Sequence, residues 1–351
     1  MKLLVIRFSA LGDVAMTVPV LITLAQCYPN AEITILSKKA CAPLFEHMPT
    51  NVHFVGADFH NQHAGRIGRK RLLNELNLSH FDAVADLHSV LRSWLIDLHC
   101  LLKGKRVACI RKGRFKKWQL TRRYGKRLQQ LPTTFERYES VLRRVGLPII
   151  TKFTSIFDNK PTSDGTLRIG IAPFAKHCGK IYPMALMEQV IAQLSEYQNT
   201  ELYIFGRGSN EEATIRDWCS RYTHTHSATH LNGITHELEL MNRLDVMLSM
   251  DSANMHLSSL VNTRVVSVWG ATHPQLGFLG WRQSEYDAVQ LPLACRPCST
   301  FGNKSCHKGT YECLKHIDPK IIVNKILTAC DANNTTITNK KHLRRTLSKS
   351  L

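Results

Sequence analysis

The sequence predicts an α/β protein of two doubly wound parallel sheets facing a cleft. Three observations carry this. Short β-branched runs alternate with segments of helix length, the pattern that parallel strands and crossover helices require. The alternation occurs twice, on either side of a polar stretch at 151–166 containing Pro161, Asp164 and Gly165. A chain of 351 residues is also long enough for two domains of ordinary size. The halves share a plan rather than a repeated sequence. The expected organisation is a first domain over 1–150, a linker over 151–166, a second domain over 167–313, a terminal helix over 314–330 and a basic, disordered tail over 331–351.

The first half opens on its most informative stretch. Residues 2–8 are an apolar run of strand length, and Ser9, Ala10, Leu11 and Gly12 make a short turn. Asp13 opens an apolar stretch, 14–24, of helix length. Backbone N–H groups are unpaired where a strand turns into a helix, so such a corner suits an anion. Asp13 has two readings there. Its charge stabilises the helix start, or it is a general base at the mouth of the sheet. Further strands are expected at 31–37, 52–58, 81–88 and 106–110, with helices at 89–102 and 135–147. A segment of helix length, 60–78, carries Arg66, Arg69, Lys70 and Arg71 close together. The most basic segment is 111–128, with nine Arg or Lys, no acid, and Phe115, Trp118 and Tyr124 among them. It reads as a solvated loop or helix face, a phosphate-capture surface, an attachment to an anionic membrane, or a platform for single-stranded nucleic acid.

In the second half, strands are expected at 167–173, 201–206, 244–251 and 264–270. The turn at 174–183 carries Lys176, His177 and Lys180, and a helix is expected at 184–197. The strand ending at Asp251 runs straight into Ser252, Ala253 and Asn254 and then a helix. Such a corner lays a diphosphate on the helix N-terminus, with N–H groups and the Ser252 hydroxyl as donors. Asp251 would repel that phosphate, so sugar hydroxyls or the helix cap suit it better. His256 reads as a packed or capping residue, or as part of the same site. Lys180 is placed to stabilise a departing diphosphate.

Composition narrows the classes. Lys and Arg number 46 against 27 Asp and Glu, a formal net charge of +19, which asks for an anionic partner: nucleic acid, an acidic membrane surface or a phosphorylated substrate. The N-terminus lacks a signal-peptide pattern, and no run of about 18 apolar residues is present. The eleven cysteines are therefore expected as reduced thiols in the cytoplasm. Cys295, Cys298, Cys306 and Cys313 close the second half. One CxxC pair and two more thiols permit a structural zinc, but their irregular gaps favour free or disulfide-linked loop thiols. A P-loop, a GxGxxG after the first strand and a GxSxG elbow are all missing.

Three segments together carry a resemblance: IRFSALGDVAMTVPVL at 6–21, APFAKHCGKIYP at 172–183 and DSANMHLSSLVNTRVVSVWGATHP at 251–274. They resemble the hallmark segments of the ADP-heptose:lipopolysaccharide heptosyltransferases, glycosyltransferase family nine, and FDAVADLH at 81–88 and FERYESVLRRVG at 135–146 fit its first half. The resemblance implies a GT-B fold of two Rossmann-like domains. It also implies inverting transfer of heptose from a nucleotide-activated donor, with no required metal or other cofactor. By the same resemblance Asp13 matches the catalytic base, Lys180 the lysine that meets the donor phosphates, and His256 the family histidine. Asp251, Ser252 and Ala253 stand where the family has Asp-Thr-Gly, and Glu211 lies near its ribose-binding glutamate. Phe174 and Ala175 replace the usual hydroxyl pair before Lys180.

The implied acceptor is a phosphorylated lipid–sugar of the lipopolysaccharide inner core, met at the anionic inner-membrane surface. Ser9, Gly12, Arg66, Arg69, Lys70, Arg111 and Arg114 are its expected contacts. Two rivals stand beside this reading. A non-catalytic nucleic-acid binder explains the charge but not the corners at Asp13 and Asp251. The other is another enzyme of two Rossmann halves, such as a sugar-nucleotide epimerase, which predicts turnover of nucleotide sugar without any acceptor; a related transferase using a different nucleotide sugar stands as a variant of the first reading.

Overall fold

The computed structural model describes residues 1–162 and 164–331; the expected tail beyond Asp331 lies outside the described residues. The first sheet contains β1 (Lys2–Ile6), β2 (Glu32–Lys38), β3 (Val52–Ala57), β4 (Ala83–Asp86) and β5 (Arg106–Cys109), in the order β3-β2-β1-β4-β5. Every pair is parallel, with Ile6 of β1 opposite Leu36 on one side and Asp86 on the other. Helices α1 (Leu11–Ala15), α2 (Thr17–Cys27), α3 (Gly65–Leu76), α4 (Leu91–Leu102), α5 (Arg114–Thr121) and α6 (Thr134–Arg144) belong to this half. The central strand shows why it reads as a continuous apolar run. Leu3 and Val5 pack with residues of α2 and α6, while Leu4 and Ile6 pack with residues of α3 and α4. A parallel strand covered on both faces needs apolar side chains at every position.

The second sheet contains β6 (Leu167–Ala172), β7 (Thr200–Ile204), β8 (Thr225–Ser227), β9 (Val246–Met250), β10 (Arg264–Val268) and β11 (Ala288–Val289), all parallel, in the order β11-β10-β9-β6-β7-β8. Its helices are α7 (Met184–Ser195), α8 (Ser209–Arg221), α9 (Ile234–Arg243), α10 (Ala253–Leu260), α11 (Glu312–Lys315) and α12 (Pro319–Asp331). Strand order reverses between β1 and β4 in one sheet and between β6 and β9 in the other. Crevices open at the carboxyl ends of such neighbours, and ligands bind there. The segments just after those four strands carry Asp13, His88, Lys180 and Asp251.

Three local expectations change. The first helix starts at Leu11 rather than after Asp13, and it breaks at Met16 into α1 and α2. The helix expected at 314–330 is two, because Pro319 lacks an N–H and opens a new helix, which Asp318 caps by accepting from Lys320 N at 2.9 Å. The polar stretch after residue 150 is packed rather than free. Phe153 and Ile156 are buried, Ile156 N donates to Leu260 O at 2.9 Å, and Trp281 Nε1 donates to Phe153 O at 2.9 Å. One apolar core therefore runs from β1 and α2 through Phe153 and Ile156 into α9, α10 and Trp269. After α5 the chain crosses to the second half, where Lys126 Nζ donates to the carbonyls of Cys295 and Pro297 at 2.7 and 2.9 Å. Among the described residues, no helix is long and apolar enough to cross a membrane.

Candidate active site

The loops at the two switch points line adjoining cavities, one of about 760 Å³ between the halves and one of about 480 Å³ on the side of the first half. Asp13 lines both.

The corner after β1 is built around a buried cation. Arg7 ends the apolar run, donates from Nη1 to Leu87 O at 2.6 Å, and sets Nη2 2.7 Å from Asp13 Oδ2. Burial works against the Arg7 charge, but Tyr138 and the Asp13 carboxylate hold its pKa above the ordinary value. Asp13 is the third residue of α1, and its Oδ2 also accepts from Ala10 N at 3.2 Å. Tyr138 donates from its hydroxyl to Asp13 O at 3.1 Å. The carboxylate thus serves its own helix start and still faces the cavities, its side chain 29% exposed. The two readings of Asp13 are compatible.

The smaller cavity is cationic. Ser9, Lys112, Arg114, Lys117 and Arg137 line it with Arg7. Burial, with Arg137 adding to it, pushes the Lys117 ammonium down to about 7. Lys117 Nζ lies 4.2 Å from the centre of the Phe278 ring. His88 also lines this cavity, and burial followed by the nearby Arg7 pushes its imidazole down to about 4. The loop carrying His88 is anchored by Asp86, which accepts from His88 N and Ser89 N at 2.8 Å each and from Ser93 Oγ at 2.6 Å. Behind it, burial and the charge of Asp86 hold the Asp97 carboxyl well above the usual range.

The larger cavity takes most of its lining from the second half. Lys180 Nζ lies 2.8 Å from Asp251 Oδ2, and both side chains are largely buried. Ser252 precedes α10 in extended conformation, its Oγ 3.3 Å from Ser249 Oγ. Among the described residues no side chain caps α10, and Ser252, Ala253 and Asn254 line the cavity. The N–H groups of that first turn are therefore available to an anion. Glu211 lines the cavity and accepts from Arg207 N at 2.8 Å, and Arg207 pairs with Glu237. Phe174 lies nearly parallel to Trp218, ring centres 6.5 Å apart. Burial pushes His256 down to about 4, leaving a neutral ring whose Nδ1 has no partner among the described residues.

Gly12 has a specific steric reason. A Cβ there would sit 2.6 Å from His256 Cδ2 and 3.4 Å from Ala253 Cα. Glycine lets α1 approach α10, so this residue sets how closely the halves meet. The structure gathers Asp13, Lys180, Glu211, Asp251, Ser252, Ala253 and His256 at one cavity, and Ser9 and Arg114 at its neighbour. It does not gather Arg66, Arg69, Lys70 or Arg111, which are exposed and line neither cavity. Arg7, His88, Lys117, Arg137 and Glu237 are not singled out by the sequence. Arg7 carried a usable signal, a charge at the carboxyl end of an apolar central strand.

The cysteines from Cys27 to Cys313 are free thiols. Cys295, Cys298, Cys306 and Cys313 line a small cavity of about 10 Å³ beside Arg296. Arg296 is buried and donates to the carbonyls of Gly270, Leu291 and Thr272. Among the described residues, the three-ligand group with metal-binding spacing is Asp86, Asp97 and Cys109, not a set drawn from these four.

Two parallel α/β sheets, with switch-point loops converging on one cleft, define a GT-B architecture. Two solved structures share this fold. "E. coli heptosyltransferase WaaC with ADP" is 16% identical, with TM-score 0.69 over 94% of this chain and 100% of that one. "E. coli ADP-heptose lps heptosyltransferase II" is 17% identical, with TM-score 0.68 over 95% and 99%. Residues 69–306 match glycosyltransferase family 9 (heptosyltransferase), and the chain belongs to that family. A curated relative, lipooligosaccharide heptosyltransferase 2 of Campylobacter jejuni, is 22% identical over 335 residues, covering 93% of this chain and 98% of the relative.

Proposed function

We propose that the protein transfers heptose from ADP-heptose to a phosphorylated lipid–sugar acceptor of the lipopolysaccharide inner core, with inversion, and that Asp13 is the general base. The observation that carries this reading is that Asp13 lines both cavities. The larger cavity has the chemistry of a nucleotide-sugar site. The first turn of α10, with the Ser252 hydroxyl, receives the diphosphate. Lys180 adds a cation that exchanges Asp251 for the leaving phosphate as charge builds there. Glu211 and Glu237 offer carboxylates to ribose or heptose hydroxyls, and Phe174 offers a face to the base. The smaller cavity, with Arg7, Lys112, Arg114, Lys117 and Arg137, suits the anionic groups of the acceptor. Asp13 takes the proton of the acceptor hydroxyl. The oxygen then attacks the anomeric carbon from the side opposite the diphosphate, and configuration inverts. Arg7 positions the base rather than reacting.

The test is incubation of the purified chain with ADP-heptose and a Kdo–lipid A acceptor, reading ADP release and the product mass. The expected result is one ADP per heptose added. Turnover only with other nucleotide sugars would replace the donor. No turnover with any donor, alongside salt-sensitive binding to RNA, would replace the whole reading.

A further inference from the structure

We infer that the outer face of α4, ringed by cations of α3 and α5, is a docking surface for an anionic lipid bilayer. Leu91, Trp94, Leu95, Leu98, Leu101 and Leu102 are all 48–80% exposed. At 100° per residue they fill an arc of about 120° with no polar side chain in it. The opposite side of the same helix, Ser93, Ile96, Asp97 and Cys100, is buried, with Ile96 and Cys100 packed against the sheet. The outward leucines therefore contribute nothing to the described core. A contiguous apolar face of this kind marks an interaction surface.

Charge decides the occupant. Between residues 60 and 128 there are seventeen Lys or Arg and four acidic residues. Two of the acids, Asp86 and Asp97, are buried. Helix α3 lies on the same face of the sheet as α4 and exposes Arg66, Arg69, Lys70 and Ile67. Lys112 Nζ, just before α5, donates to Ser89 O at 2.9 Å, which ties the start of α5 to the start of α4. Helix α5 exposes Arg114, Phe115, Lys116 and Trp118, with Phe115 and Trp118 stacked. A second copy of so basic a surface would be repelled. A nucleic acid would leave the leucines without partners. An interfacial helix with apolar residues below and cations at the headgroup level meets both needs. His88 and Trp118 line the smaller cavity, so this face begins at its rim. The inference deepens the acceptor reading and rests on it: the acceptor's head would enter the cavity while its chains stay in the bilayer.

The test uses bare vesicles without acceptor. The chain is sedimented with phosphatidylethanolamine–phosphatidylglycerol vesicles and with phosphatidylcholine vesicles. Binding is expected only to the anionic set. The combined variant Leu95→Ser, Leu98→Ser, Leu102→Ser is expected to bind about tenfold or more weakly, with unchanged thermal melting. Arg69→Gln alone is expected to weaken binding about fivefold. Equal binding by the triple variant, or none by the parent, overturns the inference. So does a parent dimer that the triple variant dissolves. Transfer to a deacylated, soluble acceptor, unaffected by the triple substitution, is read separately, so a failed docking surface and a failed transferase reading give different results.

Discussion

Replacing Gly12 by alanine perturbs the point where the halves touch. The added Cβ would lie 2.6 Å from His256 Cδ2. Carbon contacts settle at about 3.5–4.0 Å, so the overlap is roughly 1 Å. His256 is buried in α10 and the second contact is backbone, Ala253 Cα at 3.4 Å, so neither neighbour gives way easily. Overpacking of this kind costs about 1–3 kcal/mol. Alanine returns up to about 1 kcal/mol of helix propensity. The net expectation is a loss of about 1–2 kcal/mol, read as a melting temperature lower by roughly 2–8 °C. Because α1 also carries Asp13, kcat should fall as well, and a second change, His256→Ala, should return part of both. Differential scanning calorimetry with steady-state kinetics on the single and double variants measures this. A Gly12→Ala protein that melts at or above the parent temperature with full kcat would refute the close-approach argument.

Asp97 holds a proton in the fold that an unfolded chain releases near pH 4, so its burial makes the fold lose stability as pH rises from there toward neutrality. Asp97→Asn should remove that loss, giving a variant more stable than the parent at pH 8 but not at pH 4 in urea titrations. Lys117, pushed down to about 7, gains its charge as pH falls through that value; acceptor KM should therefore drop between pH 8 and pH 6, and Lys117→Met should flatten the profile. Lys180→Met leaves the Asp251 carboxylate buried and unpaired, at a cost of about 3 kcal/mol. Adding Asp251→Asn should restore most of the stability but not kcat, and a double variant as unstable as the single would contradict the pairing.

Much of the architecture was legible because its signals are local. An apolar β1 is what a strand covered on both faces must be, and the corners at Asp13 and Asp251 are sequence-adjacent strand–turn–helix units. What was not legible depends on distant packing. The clustering of Arg66, Arg69 and Lys70 showed charge but not direction, and α3 turns them away from the cavities. Lys117 looked like its basic neighbours, yet the fold buries it against Phe278. Gly12 looked like an acceptor contact because it adjoins Asp13. Its close neighbour, His256, lies 244 residues further along the chain. The α4 leucines form a plain helical stripe, but only the structure tells that the stripe faces outward.

Transfer turns on Asp13 as the base. Asp13→Asn keeps the size of the side chain and an oxygen for Ala10 N, and removes the charge and the ion pair with Arg7. Single-turnover transfer from ADP-heptose, measured beside ADP affinity by calorimetry, tests it most directly. The expected rate is lower by about 10²–10⁴-fold with ADP affinity nearly unchanged. A rate close to that of the parent, with ADP bound equally well, would contradict it.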